Sequence, residues 1–489
     1  MKVSYNWLKW YVPEAPTAEK LADILTYHLA EVESVEEKDG DSIFEIKILP
    51  NRAHDLLSHM GLAREIASLL NIKYVDPTPK YKIPPPVGGL KPTSLKIEIE
   101  SDKCRRYVGR IVRGVKVGPS PEWVVKHLES IGQRSINNMV DAANLAMFNC
   151  GQPTHVFDLD KVSEKIVVRP AREGEQLITL DNKDLKLQST DLIIADAEKA
   201  LGVAGVKGGK STEVDANTKN IIIEVANFDP VSVRKTAQSL NIFTDARKRF
   251  ENDLSPELAE YGMRELSALI AEMCPEATFE DVVDIYPVRQ VERKLSFGLD
   301  KVNKVLGTQV TVGEVENILK QYVIHYVIKG EEFEIVVPVM RLDLNIEEDM
   351  AEEIGRIMGY DKVKAEIPKI DFKPKQNEIY QKVSWARNKL LEGGYSEVMT
   401  YVFRDKGEVS VLASASDKKF LRTNLTDGLK ESLKLNKTNA PLLGLEARPG
   451  QDGGVKIFEI GTVWVVPAEE LHIAYNDKNN IIEKKLDEY

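Results

Sequence analysis

Proline decides how this chain can be divided. Between Tyr74 and Ser94 stand Pro77, Pro79, Pro84, Pro85, Pro86 and Pro92. Each fixes φ and removes a backbone donor, so neither a helix nor a central strand can run through the stretch. An extended, semi-rigid linker is expected there. Weaker breaks fall at Tyr286-Pro287 and at Pro368 and Pro374. Four blocks follow: 1–75, 96–287, 290–368 and 375–489. That number suits 489 residues at roughly 100–200 residues per domain. Hydrophobic residues make up 43% and charged residues 29%, which excludes wholesale disorder. The net charge of −11, from 66 Lys+Arg against 77 Asp+Glu, argues on its own against a nucleic-acid partner.

Nothing in the sequence suggests a membrane. No apolar run approaches the ~20 residues of a spanning helix, and Met1-Lys2-Val3-Ser4-Tyr5-Asn6-Trp7 is no secretory h-region. The three cysteines, Cys104, Cys150 and Cys274, have no ligand spacing. They fit a reducing compartment, so a cytoplasmic location is expected.

Periodicity places the elements. In the first block Thr17 is expected to cap a helix carrying Leu21, Ile24, Leu25, Leu29 and Val32 at helical spacing. Phe44, Ile46 and Ile48 alternate as a strand, and Leu62, Ile66, Leu69 and Leu70 mark a second helix. The second block is β-rich, with strands at 107–117, 165–169, 192–195 and 220–225 and helices near 121–131 and 230–240. In the third, Thr311 and Glu314 form a capping box, followed by a strand at 333–337 and an acidic helix. The fourth opens with a helix through Ile379, Val383, Ala386 and Leu390, closed by Gly393-Gly394. Strands at 398–403 and 455–464 and a polar tail at 476–489 complete it. The fold class is α+β, multidomain.

Five features carry candidate chemistry. Gly205-Val206-Lys207-Gly208-Gly209-Lys210-Ser211 resembles a phosphate loop, but Ala204 replaces the first required glycine and no helix is expected after it. On the acidic helix, Asn345 is the expected N-cap, and Asp349, Glu352 and Glu353 share one face with Asp343 just upstream. Like charges so placed repel, which a hard cation would relieve. The helix dipole with Arg341 or Arg356 would relieve it equally well. His155 sits in a polar turn, either structural or functional. Glu224 is a lone carboxylate in an apolar strand and needs an ion pair or a ligand. Arg105, Arg106, Arg110, Arg113 and Lys116, and Arg247, Lys248 and Arg249, are local basic clusters. They are either salt-paired or free to meet phosphates.

Ordered motifs then identify a family. They begin with Lys2-Val3-Ser4-Tyr5-Asn6-Trp7-Leu8, Leu49-Pro50-Asn51-Arg52 and Gly61-Leu62-Ala63-Arg64-Glu65. Next come Arg134-Ser135-Ile136-Asn137-Asn138, Gly151-Gln152-Pro153 with His155, and Phe228-Asp229-Pro230. Arg341-Leu342-Asp343, Glu352-Glu353-Ile354, Gly359-Tyr360-Asp361, Arg422-Thr423-Asn424-Leu425 and Phe458-Glu459-Ile460-Gly461 follow. In this order they resemble the beta subunit of bacterial phenylalanyl-tRNA synthetase.

The resemblance implies a beta subunit in an alpha2beta2 heterotetramer whose alpha subunit uses ATP to charge tRNA(Phe). The second block would be an editing domain that hydrolyses Tyr-tRNA(Phe). His155, Glu224, Thr244 and Ala246, with Gly208 and Arg134, fall on editing-pocket positions. Asp343, Asp349, Glu352 and Glu353 fall on positions that hold Mg2+ together with the alpha subunit. The third block would be winged-helix-like, and the fourth a partial, non-catalytic class II synthetase-like sheet domain. A free-standing deacylating factor and a scaffold with a decayed pocket are the alternatives.

Departures from the family pattern are specific. Only a short turn near Glu37–Ser42 stands where relatives carry an OB-fold insert, and Lys207 stands where a hydrophobic residue is usual. Phe250-Glu251-Asn252-Asp253 lacks the usual glycine. The fourth block is expected to be incomplete, with no anticodon-binding module, no ATP chemistry in this chain and some apolar surface left uncovered.

Overall fold

The computed structural model describes residues 1–75, 92–414, 416–439, 455–478 and 480–489. Pro77 to Pro86 of the expected linker lie outside them. The chain forms two compact units, Met1–Ala365 and Glu366–Tyr489.

The first unit is built on four sheets of three or more strands' worth of alternating sequence joined by amphipathic helices. Its opening sheet has three strands, in the order Lys2–Ser4, Asp41–Ile46, Val32–Lys38. Val32, expected on a helix, instead starts a strand, because the Ala18–His28 helix has already ended. The Val32–Lys38 strand is exposed along its length, so it carries none of the alternation that would announce it. Asp39 and Gly40, both at positive φ (50° and 78°), close the hairpin, as a tight primed turn requires. That turn sits where the short connection was expected.

Residues 92–287 form two five-stranded sheets laid face to face. One orders Thr278–Phe279, Cys104–Arg113, Asn220–Phe228 and Thr154–Asp158, with Val283–Ile285 also paired to Cys104–Arg113. The other orders Lys207–Gly208, Ala200–Val203, Leu192–Ala195, Ile166–Pro170 and Ile97–Ile99. Alternation along Asn220–Phe228 splits two cores. Ile221, Ile223 and Val225 pack with Met139, Ala142 and Leu266 of the Asn138–Cys150 and Leu258–Met273 helices. Ile222, Ala226 and Phe228 pack toward the second sheet. The first core also contains Trp7, Leu8, Leu21, Phe44 and Leu62, so the opening residues and the two-sheet body share one apolar interior.

A third core gathers Phe297, Val302, Val315, Phe333, Ile335 and Ile354. It lies under a three-stranded sheet ordered Arg293–Gly298, Glu332–Val337, Tyr326–Lys329. The expected capping box is present: Thr311 caps the Val312–Gln321 helix and Glu314 reaches back to it.

In the second unit the Glu378–Glu392 and Thr426–Asn439 helices accompany a four-stranded sheet ordered Ser396–Glu397, Ile457–Val465, Ala468–Asp477, Asn480–Lys485. The strand expected at 398–403 is reduced to the two-residue pieces Ser396–Glu397 and Phe403–Arg404. The polar tail is a strand too, pairing Asn480–Lys485 with His472–Asp477, and Leu486 beyond it is buried. Its polar residues belong to a sheet edge, where one face meets water. Ile379, Tyr380 and Trp385 of the first helix are exposed. Among the described residues no helix is long and apolar enough to cross a membrane.

Candidate active site and acidic cluster

His155 and Glu224 are brought together by register. Thr154–Asp158 pairs antiparallel with Asn220–Phe228, and His155 stands directly opposite Glu224. Directly paired residues project to the same face with Cβ atoms about 4.5–5.5 Å apart. Both line a cavity of about 350 Å³ between the two sheets, together with Gly208, Thr244 and Ala246. Five of the six expected pocket residues therefore share one cavity. Arg134 does not line it; it is exposed, while its neighbour Gln133 lines the wall and donates to Asp245 at 3.4 Å.

Each wall residue is fixed by a local cause. Gly205, at φ 70°, turns the chain between Ala200–Val203 and Lys207–Gly208, laying the second strand over the His155 ring. A Cβ at Gly208 would stand 2.8 Å from His155 Cε1 and 3.1 Å from Nε2, so any larger residue must push the ring aside. Phe157 meets the ring edge-on at 4.6 Å. Thr244 caps the Asp245–Phe250 helix by accepting from Arg247 N at 3.0 Å, and its hydroxyl donates to Val206 O at 3.0 Å.

The electrostatics are those of a dry, uncharged pocket. Burial pushes the Glu224 carboxyl up to about 8, although the nearby Tyr107 hydroxyl opposes the shift. Glu224 is only 6% exposed, and its Oε2 has no hydrogen-bond partner, nor does the Tyr107 hydroxyl. The expected alternative of an ion pair is not what the structure shows. Burial brings the His155 imidazole down to about 4. Both groups are therefore neutral near pH 7: an acid able to donate or accept, beside a base with a free nitrogen.

Among the described lining residues, neither threonine is free for nucleophilic attack. Thr154 Oγ1 donates to Ala143 O at 3.1 Å and the Thr244 hydroxyl proton is committed to Val206, so neither is poised for attack. The glycine loop is followed by a single 3-10 turn, Lys210–Thr212, and no α-helix, which removes the phosphate-loop reading.

The acidic helix meets a different environment from the one its spacing suggests. Asp343, Asp349, Glu352 and Glu353 do line one cavity of about 290 Å³, with His54 on its wall. Two of the four are neutralised by arginine. Arg341 forks onto Asp343 at 2.9 and 2.7 Å and reaches Glu353 at 2.8 Å, while Arg356 forks onto Glu353 at 2.6 and 2.7 Å. Burial raises the Asp343 carboxyl, but Arg341 and His54 outweigh it and hold the group well below the usual range. Asp349 is spent on capping, accepting Asn345 N at 2.7 Å and Ile346 N at 2.9 Å. Ile346, not Asn345, is thus the N-cap residue; Asn345 turns its amide onto the carbonyls of Leu342 and Asp343. Among the described residues no group of three or more His, Cys, Asp or Glu side chains is arranged to hold a metal. Glu352 and the second oxygen of Asp349 remain, a donor set that suits only a largely hydrated ion.

Sequence reasoning missed what surrounds this cluster. Arg356 also reaches Glu65 at 2.7 Å, and Glu65 accepts from Arg52 at 2.8 Å, while Arg52 forks onto Asp55. The Tyr322 hydroxyl donates to Glu65 at 2.6 Å. The only signal was that Arg52, Glu65, Arg341 and Glu353 all lie within recognised motifs.

The arginines of the basic clusters are likewise consumed internally, whereas Lys116 and Lys248 are exposed. Arg105 pairs with Asp253, Arg106 with Asp284 and Arg113 with Glu280. Arg110 donates to Glu280 O and lies over the Phe279 ring. Arg247 pairs with Glu251, and Arg249 is buried against Leu57 O and Asp245. These arginines are not the phosphate-facing surface that the free alternative required.

Comparisons agree with this architecture. A family model described as B3/4 domain matches residues 103–275, the two-sheet body with the cavity. Another, tRNA synthetase B5 domain, matches residues 295–360, which hold the acidic helix. The phenylalanine–tRNA ligase beta subunit of Fusobacterium nucleatum is 39% identical, covering 75% of this chain and 46% of that protein. Those of Geobacter metallireducens and Carboxydothermus hydrogenoformans are each 34% identical, covering 89% and 94% of this chain and 56% of each relative. The chain spans about half the length of the curated relatives it matches. An N-terminal fragment of the Pyrococcus horikoshii phenylalanyl-tRNA synthetase beta subunit aligns over 73% of this chain and 99% of that one, at 17% identity and a TM-score of 0.42, too loose to build on. With two domain models in order and relatives matched across most of its length, the chain carries a B3/4 domain and a tRNA synthetase B5 domain and is homologous to phenylalanine–tRNA ligase beta subunits over about half of their length.

Proposed function

We propose that this chain works as a cytoplasmic ligase beta subunit beside an alpha subunit that charges tRNA(Phe), and that its cavity hydrolyses Tyr-tRNA(Phe). The four-block division, with a winged-helix-like third block and a partial class II synthetase-like fourth, is part of the same reading. The observation that carries it is the buried, unpaired Glu224 opposite His155.

A charging site shaped for phenylalanine rejects an isostere with one added hydroxyl only weakly, about 10²-fold. A second site built around a polar group reverses that preference. Tyrosine would give Glu224 the hydrogen-bond partner it lacks. Phenylalanine would bury it unsatisfied, at a cost of roughly 1–3 kcal/mol. With the phenol on Glu224, the ester lies toward His155, whose ring nitrogen accepts from and orients a water for attack. Thr244 contributes by fixing Val206 and the helix start, and Ala246 and Gly208 by leaving room for the ring. Loss of Tyr-tRNA deacylation in both Glu224→Ala and His155→Ala is the expected result; unchanged rates in both would sink the assignment.

Mg2+ is proposed at Glu352 and Asp349, keeping most of its waters, with Asp343 and Glu353 acting through arginine. Such an ion would supply local positive charge beside the alpha subunit. Calorimetric titration with Mg2+ checks this: Glu352→Gln should abolish the binding heat. Co-purification with an alpha subunit tests the partner.

A further inference from the structure

We infer that Phe243, backed by Arg247, is a stacking platform for the terminal base of the RNA whose aminoacyl group enters the cavity. The inference rests on the editing reading above. It begins with size: at about 350 Å³ the cavity is near the small end of ligand sites, fitted to an amino acid. The nucleotide esterified to that amino acid must therefore lie at the mouth.

Sequence adjacency to the cavity wall makes Phe243 the candidate for that place. It directly precedes Thr244, a wall residue, and it is 78% exposed. A lone exposed apolar side chain normally needs no explanation. This one is held in place. Asn241, at φ 51°, turns the chain so that Ile242 is buried and Phe243 faces solvent. Arg247, only 5% exposed, lies over the Phe243 ring at 4.5 Å. Its guanidinium is itself fixed by Ile242 O at 2.6 Å and Glu251 at 2.9 Å. One face of the ring is thus backed by a rigid cation, while its high exposure leaves surface for a second planar group. Every base has a π-face, so such a platform binds without reading sequence.

Charge supports the same ligand. Gln133 bridges to Asp245 beside Thr244, placing exposed Arg134 next to a wall residue. Among the described residues Arg134 has no ion pair, unlike the basic clusters on the strands. A backbone phosphate adjoining the stacked nucleotide would satisfy it.

The test uses the full chain and an RNA hairpin with a tRNA-like unpaired 3′ end, carrying tyrosine through a non-hydrolysable amide. Phe243→Ala and Phe243→Leu should weaken its Kd roughly five- to a hundredfold. They should raise KM for Tyr-tRNA deacylation with kcat retained, and Phe243→Trp should restore both. Wild-type Kd in Phe243→Ala overturns the inference, and so does Leu matching Trp, which would show simple apolar cover. Intact RNA binding with loss of the alpha subunit on co-purification also overturns it, making Phe243 a protein contact. A wild-type chain that binds the amide through Phe243 yet leaves Tyr-tRNA intact would defeat the editing reading and leave the platform standing.

Discussion

Glu224 and His155 leave opposite marks on stability. For Glu224 the folded pKa, about 8, exceeds the ordinary 4.5, so the folded state binds more protons between those values. Its contribution then falls as pH rises, by up to roughly 1.4 kcal/mol per unit. For His155 the folded pKa of about 4 lies below the ordinary 6.5, so its contribution falls as pH drops through that window. The two slopes offset between about pH 4.5 and 6.5, and only the Glu224 slope remains from 6.5 to 8. Glu224→Gln, a neutral isostere, should remove the decline over that upper window, read from urea denaturation at half-unit pH steps. Gly208→Ala makes a steric prediction at the same site. Its methyl would displace the His155 ring, so deacylation should fall at least tenfold with Tm nearly unchanged.

At the scale of single elements, caps and alternation were legible and pairings were not. Thr311 and Glu314 read correctly because a capping box is written within four residues. Thr311→Ala should therefore cost about 1 kcal/mol, seen as a lowered Tm. Asn345 failed as a cap because the helix starts one residue later: its amide is turned back onto the carbonyls of Leu342 and Asp343, and Asp349 takes the Asn345 and Ile346 N–H groups instead. Val32–Lys38 and Asn480–Lys485 escaped notice because each presents mainly polar side chains on the edge of its sheet. The basic strand Cys104–Arg113 showed its arginines but not their fate. Asp253, Asp284 and Glu280 stand more than 140 residues away in sequence, and nothing local reveals them.

Within the first unit a largely buried polar network joins Arg52, Asp55, Glu65, Arg341, Asp343, Glu353 and Arg356. It ties residues near 60 to residues near 350 through Glu65, through His54 on Asp343 at 3.1 Å, and through Arg52 at 3.7 Å from Glu353. Buried ion pairs are costly to break singly, since removing one partner strands the other. Arg356→Met should destabilise the first unit by about 3–5 kcal/mol, measured by urea denaturation of the full chain. Adding Glu65→Gln should recover part of that loss, because the stranded charge is then removed.

The sequence alone determined most element types and the family motifs, since those are written in spacing within one helix, strand or turn; the pocket residues were implied only by the resemblance, and five of the six share one cavity. Tertiary structure decided how charge is used. Whether an acid is a ligand, a cap or half of an ion pair depends on which distant groups share its low-dielectric surroundings. Glu224 was left unpaired in a cavity and Glu353 was clamped by two arginines, though both are carboxylates on amphipathic or apolar elements. The prolines that divided the chain on paper set no such limits inside the first unit, where one apolar core joins residues on both sides of them. Burial is a property of the folded whole, and it is what separates a working carboxylate from a structural one.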